Sequence, residues 1–544
     1  MKRILLYSLL ISLFIFSCSD STTIFEEEST NFDNEIDASV LTNSIVYDKS
    51  GVMEIYEDAR EGAIQGRFVN EQAGDYPLSL VAQVSPPSFR GGENLTATDV
   101  HLDGDFAYIS YNTPGADYKG AVDVVNISDP ASPRLTGRAY SYDKDLNAIH
   151  YDNGYGYIVG GMDAEKSALA TANSVIIKVA INNGRFNTSD LAYNYQEGFN
   201  ANDALVSGNS LFVTSGKDGY VTEFDKNSLE IINEAPFEDL RSVVIKDGKY
   251  LVLDASIGVR ILNAQLEETS QIQIDSDFRV ADKRTLDLMG DKVVVSEGEN
   301  GAGIYDIATG TFQEYIPITV NPANVAESDI VTNATAFNEG AILMANGGGG
   351  LCLSEDNNGT LSTVGVIELD GSINYVASRG DYIFAASGRE GLQIIKMNKP
   401  SEDLAAKCSG TPTYSGSNTL NVTASQTLAY SGSKRFRTID VAGELLLCGT
   451  WTVNLEVDVF DNALFEMRGT FIVARNNRRR NLTVGENATL RIEGNLTVYG
   501  DLILEDNATI EFVGENSRVN IFGDVDSAAS ANVLGSFDDI QDKF

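Results

Sequence analysis

From about residue 95 to 397 the apolar and polar positions repeat one phrase: an apolar strand, a polar turn containing glycine, a second strand, another glycine turn and a third strand. It first reads ATDVHLDGDFAYISY. It returns as LNAIHYDNGYGYIVGG, NDALVSGNSLFVTSG, RSVVIKDGKYLVLDA, RTLDLMGDKVVVSEG, TNATAFNEGAILMANG and INYVASRGDYIFAASG. The glycines of the first turn, Gly104, Gly154, Gly208, Gly248, Gly290, Gly340 and Gly380, stand 40 to 54 residues apart. That period fits four short antiparallel strands per repeat, as in a propeller blade. Tight hairpins select glycine because their central residues take positive φ. The third strands, such as GAVDVVNI from Gly120 and GLQIIKM from Gly391, are apolar over five or six positions, as strands covered on both faces require. Seven such sheets in a closed ring bury both faces and leave few open edges. YPLSLVAQVS, residues 76–85, is expected to add a strand that completes the last blade.

The rhythm changes after Lys396. Residues 400–418 carry Pro, Ser and Gly and read as a linker. From Thr419, strands of four to six residues are separated by Gly-Asn or Asp-Asn turns, and NALFEMRGTFIV, NATLRIEGNLTVYGDLIL and NATIEF restate one another. Asn487 to Asn507 is 20 residues, about one rung of a β-solenoid. A β-sandwich also fits. The short repeats without long crossing loops favour the solenoid. The fold class expected is all-β: a seven-bladed β-propeller over 76–399, a smaller β-solenoid or β-sandwich over 419–530, and a tail over 531–544.

The N-terminus carries an address. MKRILLYSLLISLFIFS, residues 1–17, has two cations followed by an apolar run too short for a stable span, the composition of a secretory signal. The junction Ile15-Phe16-Ser17-Cys18 resembles the lipobox of bacterial lipoproteins, which implies that Cys18 is lipidated and anchors the chain in an outer membrane. The polar, acidic SDSTTIFEEESTNFDNEID after it is expected to be a disordered tether within an N-terminal segment, 18–75. It resembles the acidic segment of surface-exported lipoproteins of the Bacteroidetes, which implies cell-surface exposure.

The first repeat ends GAVDVVNISDPASPRLTG. This phrase resembles the repeat of the LVIVD family, with Val122, Val124, Val125, Ile127, Asp129 and Pro130 carrying the match. The resemblance covers about 300 residues in pattern and about 40 in detail. It implies a propeller-like fold and a bacterial envelope location, and it carries over no active site.

Composition narrows the chemistry. Of the 544 residues, 43% are hydrophobic, and 39 Lys and Arg stand against 78 Asp and Glu, a net charge of −39. That balance repels nucleic acid, which needs clustered cations. With two histidines, the chain has no HExxH, no nucleophile elbow and no zinc spacing. His101 and His150 occupy the same strand of adjacent repeats, each followed two residues later by an acid, Asp103 or Asp152. They are weak metal candidates, and blade residues that order a turn would look the same. DKDLN at Asp143 and SEDNNG at Ser354 are oxygen-rich loops that suit calcium or simple solvation, and neither completes an EF-hand. Gly347–Gly350 reads as a turn, because no helix follows it to make a phosphate loop.

An exported compartment permits a disulfide between Cys408 and Cys448. Two basic clusters stand against the acidic background: Lys434, Arg435 and Arg437, and Arg475 with Arg478, Arg479 and Arg480. On one face they would form an anion-binding site for a glycan or a lipopolysaccharide phosphate. Local pairing with acids is the plainer alternative.

The expected function is a non-enzymatic cell-surface lipoprotein that uses a propeller scaffold for binding or adhesion, with a glycan or an envelope protein as ligand. No cofactor or catalytic residue is expected, and calcium stays open. The alternatives are an exported propeller enzyme acting on glycans through paired carboxylates, or a structural envelope component.

Overall fold

The computed structural model describes residues 32–47, 55–56, 78–89, 92, 94–115, 117–279, 282–319, 325–338, 340–356, 361–367, 369–397, 402–475 and 478–544. The signal, Cys18 and the first part of the tether lie outside them. Two units follow one another, both built almost wholly of strands: a β-propeller and a β-solenoid.

In the propeller, each repeat folds as an antiparallel meander. The first is Thr96–Asp103, Phe106–Asn112, Gly120–Asn126 and Arg134–Ser141, paired in chain order. One strand, Ile231–Lys246, is shared: its first half pairs with Lys217–Asp225 and its second with Lys249–Asp254, so it leaves one meander and opens the next. All seven first-turn glycines take positive φ, from +48° at Gly104 to +92° at Gly340. At Gly104, Gly154, Gly208, Gly248, Gly290 and Gly380 an added Cβ would meet nothing within 4 Å, so conformation and not space selects glycine there.

The ring closes on itself. Leu78–Val84 pairs with Leu392–Met397 as the fourth strand of the last sheet, with Ile45–Tyr47 added outside it, and the Ala97 amide donates to the Gly388 carbonyl at 2.9 Å. The core lies between sheets, not within them. One cluster joins Phe384, Leu392 and Ile394 of the last sheet to Ala97, Val100 and Ile109 of the first.

The expected tether ends sooner than residue 37. Phe32 is buried and packs edge-on against Phe186, and Asp33–Asn34 pairs with the outer strand Arg134–Ser141. An apolar anchor and an open strand edge suffice to dock a chain that its composition alone leaves unstructured. A buried bidentate pair secures the same side: Arg138 Nε and Nη2 donate to Asp123 at 2.7 Å each, and Nη2 also donates to the Ser85 carbonyl at 2.8 Å.

The C-terminal unit is a solenoid and not a sandwich, because its strands stack in parallel. Short strands from Thr419–Val422 to Val525–Ser527 form one six-stranded sheet, and long strands from Thr427–Phe436 to Asn532–Asp539 form the other. Identical register puts like above like: Leu445, Phe465, Leu490 and Ile510 form one interior column. Gly432, Gly449, Gly469 and Gly494 form another column, at φ between +109° and +129°.

Two boundaries shift. The expected tail contains the last rung, Asn532–Asp539, whose exposed Val533 and Leu534 hide the repeat from a hydrophobic count. The expected linker contains a helix, Glu402–Cys408, lying on the solenoid's outer face. Leu404 is fully buried, the Leu404 amide donates to Glu493 at 2.6 Å, and Lys407 Nζ binds Glu466 at 2.7 Å. That face is a ladder of charge, with Arg491 bridging Glu466 and Glu511 and Arg468 meeting Glu493. The helix caps polar groups that would otherwise stay in water, so its residues pass for linker in the sequence. Cys408 at its end is bonded to Cys448. None of the described helices is long and apolar enough to cross a membrane.

Candidate functional site

The site lies where the first strand of each meander begins. In several of these strands the pairing skips a residue. The register jumps from Ala97 to Asp99, from Ala201 to Asp203 and from Leu240 to Ser242, and Asn147 is passed over opposite Val159 and Gly160. Each jump is a β-bulge, which re-aims one side chain out of the ladder. The residues released are Thr98, Asn202, Arg241 and Asn147. Arg284 and Asn374 stand just before their strands, and Asn333 lies within a register shift of its own.

These polar side chains reach to the next meander in turn. Thr98 donates to Leu146 O at 3.2 Å, Asn147 to Ala201 O at 2.9 Å, Asn202 to Leu240 O at 2.7 Å and Arg241 to Asp282 O at 2.7 Å. Arg284 donates to Asn333 Oδ1 at 2.6 Å, Asn333 to Ile373 O at 3.1 Å, and Asn374 to Ala97 O at 2.8 Å, where the circuit ends one residue from its start. The girdle links each meander to the next through main-chain carbonyls at six positions and through the Asn333 carboxamide at the remaining one.

All seven girdle residues also line a cavity of about 1520 Å³ at the mouth of the ring. Lys283 reaches across the axis to donate to Asp99 Oδ1 at 3.1 Å and to the Asn147 carbonyl at 3.4 Å, with its ammonium 4.7 Å from the Tyr375 ring centre. The mouth is therefore a cup whose lining includes a cation tied across the ring. Burial and the nearby Asp99 push the Asp203 carboxyl up to about 6, and burial pushes Asp287 up to about 7. At the rim, Tyr118 and Phe199 offer aromatic surface, and Arg279 donates to Ser328 O at 2.8 Å and pairs with Glu299. Burial raises Asp145 to about 6, although it accepts from the Thr113 and Lys119 amides at 3.1 Å and ties down that loop.

Sequence reasoning passed over this girdle and Lys283. A signal was present: a polar residue interrupts the apolar run at the start of the strand in ATDV, LNAI, ANDA and LRSV. Its meaning depends on neighbours that are dozens of residues away.

The residues singled out in the sequence fall elsewhere. His101 and His150 do meet, with ring centres 4.1 Å apart. Burial lowers both, His150 to about 3 with His101 adding to it, so the rings are neutral near pH 7. Asp152 is held by Lys226 at 2.7 Å. Among the described residues no group of three or more His, Cys, Asp or Glu is set to hold a metal ion. In the DKDLN loop Asp143 is taken by Lys144 at 2.7 Å. SEDNNG lies partly outside the described residues, and Ser354 is buried in a strand. Gly347–Gly350 is a turn, with positive φ at both ends. The remaining cysteine, Cys352, is buried, with its Sγ 3.3 Å from the Thr319 carbonyl oxygen. Of the first basic cluster, Arg437 follows Phe436 at the solenoid edge that also carries Arg475, Arg478, Arg479 and Arg480, whereas Lys434 and Arg435 lie within the strand, Lys434 donating to the Gly416 carbonyl at 2.7 Å.

Comparison with known proteins bears on the first meander most directly. The family model of the LVIVD repeat matches residues 96–140, the span from the first strand of that meander nearly to the end of its fourth. No curated protein matches the chain. Among solved structures it is similar to the WD40 β-propeller domain of Doa1, at 14% identity over 58% of this chain and 95% of that one, with a TM-score of 0.41. It is also similar to the RRP9 WD40 repeats, at 11% identity over 60% and 98% with a TM-score of 0.45. The computationally designed Ika8 protein aligns at 10% identity over 57% and 98%, with a TM-score of 0.35.

Proposed function

We propose that this chain is a non-enzymatic, lipid-anchored surface protein whose propeller has seven blades and holds a polar ligand, a glycan, in the mouth cup. The count of seven takes Ile231–Lys246 as the outer strand of one blade and the inner strand of the next. The anchor rests on the lipobox-like junction at Cys18, and the surface address on the acidic stretch behind it.

The observation that carries the binding role is the cup: about 1520 Å³, with Lys283 in its lining, and walled by carboxamides, guanidiniums and two rim aromatics. Such a lining offers donors and acceptors at fixed positions together with flat apolar surface, which is what sugar hydroxyls and ring faces engage. A glycan array probed with the purified protein tests this, with Lys283→Met and Asn147→Ala as paired variants. The expected result is a defined set of bound glycans, lost or weakened at least about tenfold by Lys283→Met. Array binding indifferent to both variants would reject the cup.

The raised Asp145 keeps the enzymatic alternative concrete, since a carboxyl near 6 suits a general acid. Turnover of a glycan panel that Asp145→Asn abolishes would replace binding with hydrolysis. Pull-down of envelope proteins with no glycan bound would favour the structural role.

A further inference from the structure

The strongest feature that the mouth does not use is the arginine-bearing edge of the solenoid. Register stacks Phe436, Val453, Val473 and Val498 in one column, so the residues that follow each of them form a continuous corner along the axis. Arg437 follows the first rung's strand. Arg475, Arg478, Arg479 and Arg480 follow the third, two rungs and about 10 Å further on.

The third rung is also the long one. From Leu464 to Thr489 is 25 residues, against 20 from Glu444 to Leu464 and 20 from Thr489 to Thr509. The surplus falls between Val473 and Leu482, the stretch that carries Arg475, Arg478, Arg479 and Arg480. The Arg478 amide donates to the Arg475 carbonyl at 2.9 Å.

Arg437, Arg475, Arg478, Arg479 and Arg480 are exposed, and among the described residues none of them enters an ion pair. In a chain of net charge −39 that is a departure. Arg468 and Arg491, a few residues away on the outer face, are both neutralised. Acids share the corner without pairing to these arginines among the described residues: Asp501 accepts the Asp524 amide at 3.0 Å, Asp524 meets Lys543 at 3.4 Å, and Glu456 is exposed. Beside the arginines, Tyr499 and Phe522 stack face to face at 4.7 Å on successive rungs. Among the described residues, the large exposed apolar side chains of the solenoid, Phe460, Val533, Leu534 and Phe544, lie off this corner, and Tyr499 and Phe522 on it are half-buried.

We propose that this corner binds a linear acidic polysaccharide that runs along the solenoid axis, its carboxylates engaged by the guanidinium forks of Arg437, Arg475, Arg478, Arg479 and Arg480. Each exposed contact is weak, and a polymer offers many at a repeating spacing, so affinity accrues through multivalency. This site is independent of the mouth cup.

Binding of the full chain to polygalacturonate, with neutral dextran and anionic phosphatidylglycerol vesicles as the other probes, tests the proposal. The expected result is salt-sensitive binding to polygalacturonate alone, weakened about tenfold or more in the Arg478→Ser, Arg479→Ser, Arg480→Ser variant. The matching triple lysine variant keeps the charge and retains part of the affinity, which separates loss of binding from loss of fold. Unchanged polygalacturonate binding by the serine variant, equal binding to dextran, or preference for the vesicles would each overturn the assignment.

Discussion

Gly469→Ala offers the sharpest test of how the C-terminal unit is held together. Gly469 sits at φ +119° in the middle of the glycine column, and a Cβ there would overlap the carbonyl oxygen of Gly449 on the rung before it. Alanine adopts that backbone region at a cost of about 1–3 kcal/mol. The overlap adds about 1–3 kcal/mol of overpacking, because stacked rungs move apart only by breaking their ladder. For a unit of this size the sum lowers the melting temperature by about 10 °C or more. The assay is built into the chain. Trp451 is the single tryptophan, fully buried in the solenoid core against Phe436, so its fluorescence reports that unit alone. Gly410→Ala, at φ +76° with nothing within 4 Å of the new methyl, isolates the conformational part and should shift the transition far less. A Trp451 transition within about 2 °C of the parent in Gly469→Ala would refute the stacking argument.

Other expectations concern both units. Asp123→Asn leaves Arg138 buried with its charge uncompensated and should destabilise the propeller by about 3–5 kcal/mol, seen by circular dichroism with the Trp451 signal unmoved. Asp287, raised by burial to about 7 against about 3.9 in the unfolded chain, holds a proton in the folded state that the unfolded state has lost. Its contribution is therefore full below about pH 4 and lost as pH rises through 7. Asp287→Asn should melt higher than the parent at pH 8, with the gap closing towards pH 4.5. The two histidines, depressed and so of opposite sign, cancel in that difference. Cys408→Ser should lower the Trp451 transition by up to about 4 kcal/mol in the chain-entropy account, and a reductant should do the same to the parent and nothing to the variant.

Much of the architecture is legible in the sequence. The seven hairpin glycines, the apolar third strands and the closing strand at Leu78–Val84 all express rules that act within a few residues: which side chain tolerates positive φ, and which run of residues needs both faces covered. The C-terminal repeat is legible from NALFEMRGTFIV and NATLRIEGNLTVYGDLIL, which favour a solenoid but leave a sandwich open; the shared glycine position and the parallel register that decide for the solenoid emerge only in the structure. Where local rules and packing disagreed, the sequence misled. Polar, charged stretches around Phe32, in Glu402–Cys408 and in Asn532–Asp539 looked unstructured, and each docks on a surface made by distant residues.

Hydrophobic period and backbone sterics travel with each residue, so the chain by itself determined its repeats and its turns, while the ten-residue strands of the solenoid's long sheet exceed the four to six residues expected. Only closure of the ring decided that Lys283 crosses to Asp99, 184 residues away, that the bulged polar residues join into one girdle, and that a cup forms above them. Only the stacking of rungs decided that Arg437 and the Arg475–Arg480 loop share an edge. Function here depends on side chains brought together from separate repeats, and no pattern along the chain encodes which repeats will face each other.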